Sequence, residues 1–171
     1  MAAIRRLGTL ETERLVLRPR QVDEAATYRR LWTERDLRVP QHRRIDADGR
    51  PTVAEIAGRL KEEPGLLAVH RRDTAEVIGY CGLTGSGSAS PDERELAFEL
   101  LRSAHGRGYA TEAGGAVVAW AREAGYPRLW ATVWDWNVAS RRVLEKLGFH
   151  ETGAVVAESG HGHSLATVRQ F

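Results

Sequence analysis

Residues 105–111 read His-Gly-Arg-Gly-Tyr-Ala-Thr, directly after an apolar run, Leu96–Leu101, and directly before a helical pattern. Strand, glycine turn and helix in that order aim a row of backbone N–H groups at one point. The first four N–H groups of a helix have no partner inside it, and the helix dipole adds partial positive charge there. Gly106 and Gly108 let the chain turn tightly and let a phosphate approach the main chain with no Cβ in the way. The chemistry this supports is anion binding, above all of a pyrophosphate. An ordinary strand-to-helix turn that happens to hold two glycines gives the same spacing, so the remainder of the chain has to decide.

No Gly-x-x-x-x-Gly-Lys-Ser/Thr run occurs, which leaves a P-loop for a nucleoside triphosphate and Mg²⁺ unsupported. A dinucleotide fingerprint needs Gly-x-Gly-x-x-Gly near the start of a βαβ unit, whereas the third position here is Thr111 and the turn lies well past mid-chain. Just upstream, the strand expected over about Arg94–Leu101 puts Leu96, Phe98 and Leu100 on one face and Glu95, Ala97, Glu99 and Leu101 on the other. A strand inside an α/β sheet normally has both faces covered. Two carboxylates on one face therefore mean either a solvated face or one that opens into a cleft.

His105-Gly-Arg-Gly-Tyr-Ala110 resembles the acyl-coenzyme A loop of the GNAT superfamily of N-acetyltransferases, Gln/Arg-x-x-Gly-x-Gly/Ala, with His in the leading position. Three further stretches resemble the branch that acetylates the N-termini (alanine or serine) of ribosomal proteins. They are Leu10-Glu-Thr-Glu-Arg-Leu-Val-Leu-Arg-Pro19, then Glu95-Leu-Ala-Phe98 with Gly108-Tyr-Ala-Thr-Glu-Ala113, then Asn137-Val-Ala-Ser140 with Val143-Leu-Glu-Lys-Leu-Gly-Phe149. They keep the family's order from about residue 10 to about residue 153. The resemblance implies an α/β (mixed α+β) fold with a central, mostly antiparallel sheet of about six to seven strands. That sheet would be splayed between the fourth and fifth strands and flanked by about four helices. It also favours the cleft over the solvated face, because acyl-CoA lies in that splay in the superfamily.

The activity implied is transfer of the acetyl group of acetyl-CoA, as cosubstrate, to a primary amine of a protein N-terminus or a small molecule. Cofactor contacts are expected from Leu100, Leu101, His105, Gly106, Arg107, Gly108, Tyr109, Ala110, Thr111, Asn137 and Ser140. An alkyl amine has a pKa of about 10 and an α-amino group about 8, so a base is needed. Glu95, which matches the family's Glu on this strand, and Glu99 are the candidates, and either can instead be a structural partner of an arginine. Many relatives place an acidic Tyr in the last helix; the matching residue here is Leu144, which donates no proton. The ribosomal-protein branch carries a Ser three residues after the Asn, here Ser140, which is expected to assist the departing thiolate. Asn137 caps the last helix and is expected to hold the pantetheine arm as well. A non-catalytic acyl-CoA-binding module is the rival reading, with Leu144 as its support.

The elements that must position these residues can be read in order. Arg14–Arg18 alternates and ends at Pro19, a first strand. Asp23 is expected to cap a helix carrying Ala26, Leu31 and Trp32 to about Glu34. Residues 35–51 form a long charged loop, and Thr52-Val-Ala-Glu55 is a capping box for a short helix with Ile56 and Leu60. Strands follow at Leu66–Arg71 and Glu76–Leu83, joined by a tight turn, and Gly85–Asp92 is expected to be a flexible connection. After the carboxylate strand comes a helix over about Ala110–Glu123, in which Gly114 and Gly115 point either to close packing beneath the cofactor or to tolerated surface glycines. Arg128–Trp134 is a fifth strand. Asn137 opens the last helix, Gly148 and Phe149 close it, and Phe149–Glu158 with Ser164–Gln170 form a final hairpin.

At 171 residues, with 42% hydrophobic and 28% charged, the chain is expected to form one domain, 1–171. No apolar stretch approaches the roughly 18 residues of a membrane span, and the N-terminus lacks a signal peptide's apolar core, so a cytoplasmic protein is expected. The single cysteine, Cys81, is expected to be buried packing. A net charge of +2 gives no support for nucleic acid, and all of the 25 basic residues but Lys61 and Lys146 are scattered arginines. His161-Gly-His163 reads as a surface turn rather than a metal site. Trp134 and Trp136 stand where they can either line an acceptor pocket or serve as core or rim packing. The partners expected are acetyl-CoA and the amine, with no nucleic acid and no membrane, and a homodimer is left open.

Overall fold

A computed structural model describes residues 6–85 and 93–171. The connection expected at Gly85–Asp92 falls, beyond Gly85, outside the described residues. Among the described residues eight strands form one sheet: β1 (Leu10–Glu11), β2 (Leu15–Pro19), β3 (Leu66–Arg71), β4 (Val77–Gly85), β5 (Arg94–Leu100), β6 (Arg128–Trp134), β7 (His150–Ser159) and β8 (Gly162–Gln170). Their order across the sheet is β1-β2-β3-β4-β5-β6-β8-β7. Four α-helices accompany them: α1 (Ala25–Glu34), α2 (Val53–Arg59), α3 (Tyr109–Glu123) and α4 (Val138–Lys146). The architecture is the mixed α/β one expected, with one strand more: Leu10–Glu11 folds back on Val16 and Leu17 as a two-residue edge. The strand expected as the fourth is therefore β5.

All neighbouring strands are antiparallel except β5 and β6, which run parallel and are joined by α3. A parallel pair needs such a crossover, because no tight turn can bring the chain back to the same end. The pairing covers only Arg94↔Leu129 and Glu95↔Trp130, whereas β5 continues to Leu100. Beyond Glu95 the two strands are unpaired, and this is the splay expected between them.

The period-2 pattern of the strands buries both faces of the sheet. On one face Leu15, Leu17, Leu67, Val69, Leu96, Leu129 and Val133 pack against Ala113, Val117 and Ala121 of α3 and Leu144 and Leu147 of α4. On the other, Ala25, Tyr28 and Leu31 of α1 meet Ile56, Leu60 and Leu101, with Tyr80 against them. Burying each such aliphatic side chain is worth about 1.5–3 kcal/mol, so both faces contribute to holding β5 in place.

One local expectation changes and another is made specific. Ala26 is exposed, and α1 buries Ala25 and Tyr28 together with the expected Leu31, with Trp32 partly buried against them. The helix starts later than a cap at Asp23 would place it, because Val22–Glu24 is a single 3₁₀ turn in which Glu24 accepts a bond from the Gln21 N–H at 2.9 Å. The second concerns Gly114, where a Cβ would lie 2.6 Å from Leu147 Cδ1, while Gly115 has Leu147 at 4.0 Å. Gly114 lets α3 and α4 approach each other with Leu147 as its close neighbour, whereas Gly115 leaves room for a Cβ. Gly114→Val is expected to force the two helices apart and destabilise the fold by about 1–3 kcal/mol, the usual cost of overpacking. A fall in denaturant midpoint at unchanged m-value checks this.

Other local signals hold. Thr52 and Glu55 form the reciprocal capping box, and Asn137 Oδ1 accepts from the Ser140 N–H at 3.2 Å. Gly148 takes φ +83 at the end of α4, with Phe149 buried behind it. Cys81 is fully buried, and burial pushes its thiol up to about 12.

Candidate active site

β5 ends at Leu100, a 3₁₀ turn spans Arg102–Ala104, and the glycine loop leads into α3 at Tyr109. Gly106 has φ +72 and Gly108 φ +79, left-handed conformations that glycine takes without a Cβ penalty. A Cβ at Gly106 would meet nothing within 4 Å. Glu112 is the first residue whose N–H closes back, onto the Gly108 carbonyl at 3.0 Å. The N–H groups of Tyr109, Ala110 and Thr111 therefore have no acceptor within the helix, at its positive end. His105, Gly106, Arg107 and Gly108 are exposed. Leu100 and Leu101 are buried, with Leu101 N–H bound to the Ile78 carbonyl and the Leu100 carbonyl to His105 Nε2, both at 2.8 Å. The Leu101 carbonyl also accepts from the Ala104 N–H at 2.9 Å, so both main-chain groups of Leu101 are engaged within the protein.

Two anchors fix this loop, and neither was expected from the sequence. Glu34 at the end of α1 accepts from the Arg102 N–H at 2.8 Å. On the other side Arg14, before β2, donates through Nη1 to the Arg107 carbonyl at 3.0 Å and through Nε to Glu112 Oε2 at 2.7 Å. Burial raises the Glu112 pKa, but the Thr12 hydroxyl and Arg14 outweigh it and hold the carboxyl below the usual range.

The two carboxylates of β5 share a face, as expected, and have different surroundings. Glu99 is held by Arg35 in a two-pronged ion pair, Nε at 2.8 Å and Nη2 at 2.7 Å, and accepts from the Tyr80 hydroxyl at 3.0 Å. Burial lowers the Arg35 pKa but the bonds to Glu99 prevail and raise it, while burial and the Glu99 charge push Tyr80 up. Glu95 stands at the last paired position before the splay. Its Oε1 accepts from the Thr132 hydroxyl at 2.6 Å and the Thr132 N–H at 3.1 Å, across the gap on β6. Arg35, Tyr80 and Thr132 carried no sequence signal of their own; each is found only through its contact.

α4 starts at the open end of β6. Asn137 is its N-cap through Ser140 N–H, and Ser140 is half-buried in the first turn. Leu144, at the position of the family's Tyr, is buried in the core. Trp134 and Trp136 stack with centroids 6.3 Å apart, and the Arg38 guanidinium, from the loop after α1, lies 4.3 Å from the Trp136 ring. His163 faces Asp135, Nδ1 to Oδ2 at 3.3 Å. Among the described residues no cluster of three or more His, Cys, Asp or Glu stands ready for a metal, and no helix is long and apolar enough to cross a membrane. A cavity of about 460 Å³ between α4 and the β7–β8 hairpin is lined by Val133, Leu144, Phe149 and Thr167 among others. It takes in none of the expected site residues.

An open sheet that parts between two parallel strands, with a glycine turn, a helix N-terminus and a second helix start all at the parted end, defines a mixed α/β domain of the acyltransferase class. The chain belongs to the GNAT acetyltransferase family: the description "Acetyltransferase (GNAT) domain" matches residues 14–150. It is 32% identical over 106 residues to the uncharacterized N-acetyltransferase YoaA of Bacillus subtilis, covering 60% of this chain and 59% of that one. The chain thus spans somewhat over half the length of that relative. Its fold is similar to an acetyltransferase (GNAT family) from Bacillus anthracis, TM-score 0.78 at 17% identity, covering 95% of this chain and 98% of that one. It is also similar to the ribosomal-protein-S5-alanine acetyltransferase from Vibrio fischeri, TM-score 0.70 at 18% identity, covering 95% and 96%.

Proposed function

We propose that this protein transfers the acetyl group of acetyl-CoA to a primary amine by direct attack, with both substrates bound at once. The observation that carries the proposal is the parting of β5 from β6 immediately after Glu95, with the glycine turn and the start of α4 at the open end. The N–H groups of the loop and first turn of α3 suit the pyrophosphate, and the unpaired stretch of β5 suits an extended amide-bearing arm, as a sheet edge suits a strand. Acetyl-CoA supplies the thioester.

Glu95 takes the proton from the amine, directly or through one water. What favours Glu95 over Glu99 is that both Glu99 oxygens are already bound to Arg35, whereas the bonds of Glu95 among the described residues fall on Oε1 alone. The amine nitrogen forms the new bond to the carbonyl carbon, the C–S bond breaks, and the thiolate leaves with a hydrogen bond from Ser140 and takes up the second proton that the nitrogen sheds as the amide forms. Asn137 fixes the first turn of α4 and with it Ser140. Cys81 is buried with a raised pKa, which favours direct transfer over an acetyl-cysteine intermediate. Trp134, Trp136 and Arg38 frame the acceptor side, where a protein N-terminus or a small amine enters from the cytoplasm.

Initial rates with both substrates varied should give intersecting lines, and mass spectrometry of protein mixed with acetyl-CoA alone should find no acetylated chain. Parallel lines with an acetyl-enzyme would overturn direct transfer. Because a thiol with a pKa of about 8.5 is already a fair leaving group, Ser140→Ala should lower kcat by about 10- to 100-fold, more than it raises KM. Unchanged kcat with chemistry rate-limiting rejects the role of Ser140.

A further inference from the structure

We propose that Arg14 is a positioning residue for cofactor binding: it clasps the glycine loop and neutralises Glu112, a carboxylate that otherwise stands against the pyrophosphate. The proposal rests on the reading of that loop as the acetyl-CoA site. Glu112 lies in the first turn of α3, beside the N–H groups that suit the phosphates. A negative charge there is favourable to the helix dipole and unfavourable to a bound polyanion.

Both Glu112 oxygens are covered. Oε1 accepts from the Thr12 hydroxyl at 2.6 Å and the Arg14 N–H at 2.8 Å, and Oε2 from Arg14 Nε at 2.7 Å. The same guanidinium donates to the Arg107 carbonyl at 3.0 Å, lies 4.5 Å from the Tyr109 ring centre, and places Nη2 3.4 Å from where a Gly108 Cβ would stand. Arg14 thus meets Arg107, Gly108, Tyr109 and Glu112 at once. It is itself held in place, since Arg72 donates through its N–H to the Arg14 carbonyl at 3.0 Å and through Nε to the Thr12 carbonyl at 2.9 Å. Only a planar, forked cation reaches two acceptors on different parts of the loop; a lysine ammonium does not.

The test is calorimetric titration of the full chain with CoA, with thermal melts alongside. Arg14→Ala should weaken CoA by about 10- to 100-fold, the loss that follows when a charged hydrogen-bonding partner is removed. Glu112→Gln should bind as tightly as wild type or tighter. The double variant Arg14→Ala/Glu112→Gln should recover at least several-fold of the loss, which a general loosening of the fold would not allow. If Arg14→Ala melts below the assay temperature, Arg14→Lys, which keeps the charge without the fork, should still bind several-fold more weakly than wild type. Wild-type affinity in either Arg14 variant, or a double variant no better than the single one, overturns the proposal while leaving the loop as the CoA site. A wild-type protein that fails to bind CoA overturns the reading of the loop and this proposal with it.

Discussion

Gly108→Asp is expected to reduce acetyl-CoA binding by at least about 100-fold while the protein stays folded. Gly108 is the N-cap of α3 at φ +79, a conformation that aspartate tolerates better than most residues. The side-chain cap that aspartate makes elsewhere needs an extended N-cap, so at this left-handed position it adds no cap and costs some stability, which the melting curve reads apart from binding. Its Cβ would lie 3.4 Å from Arg14 Nη2, a long cation able to shift by a few tenths of an ångström. The damage falls on the ligand. The new carboxylate occupies the N–H groups proposed for the pyrophosphate and opposes its charge, and two like charges 4 Å apart near a protein surface repel by about 4 kcal/mol. Gly108→Asn, of the same size and uncharged, should lose much less. Calorimetry with a parallel melting curve reads both, and a folded Asp variant with wild-type affinity would place the cofactor elsewhere.

Glu95→Gln is expected to lower kcat/KM by about 10²- to 10⁴-fold near neutral pH, the range of general-base effects. The glutamine oxygen can still accept from the Thr132 hydroxyl, so the shape of the site is kept and the proton acceptor is lost. The sign with pH follows from the acceptor. Below the pKa of the amine, about 8 for an α-amino group and about 10 for an alkyl one, most amine is protonated and the base matters; above it the amine is already neutral. The deficit should therefore shrink as pH rises. Glu99→Gln should show a different pattern. It leaves the largely buried Arg35 without its charge partner, so stability should fall and the pH–rate profile should keep its shape. If the two variants exchange these behaviours, the base is Glu99. If both keep wild-type rates at all pH values, the proton leaves through water and the carboxylates are structural.

The division between what was legible in the chain and what was not follows sequence separation. Capping signals are local: Thr52 with Glu55, Asn137 with Ser140, and Gly148 with Phe149 each involve residues a few positions apart, and all three stand as read. The alternation that put Glu95 and Glu99 on one face of β5 is equally local. At the start of α1 the inward residue is Ala25 rather than Ala26, because the 3₁₀ turn at Val22–Glu24 delays the helix and no residue type announces it, while Leu31 and Trp32 lie against the core as read. The contacts that separate the two carboxylates join Glu99 to Arg35 across 64 positions and Glu95 to Thr132 across 37. With arginine so common in this chain, no local rule selects Arg35 as the partner. The Arg14–Glu112 clasp spans 98 positions, and although both residues lie in stretches that resemble the family, nothing in either stretch names the other.

The central claim, amine acetylation from acetyl-CoA, is tested most directly by measuring thiol release from acetyl-CoA against a panel of amines. The panel should pair small amines with peptides bearing free N-termini, each peptide matched by an N-blocked control. The account predicts release of free CoA only when a primary amine is present, with one mole of N-acetyl product per mole of thiol, and loss of both in Glu95→Gln at neutral pH. Tight binding of acetyl-CoA with no amine-dependent thiol release across the panel would contradict it and leave a binding module in its place.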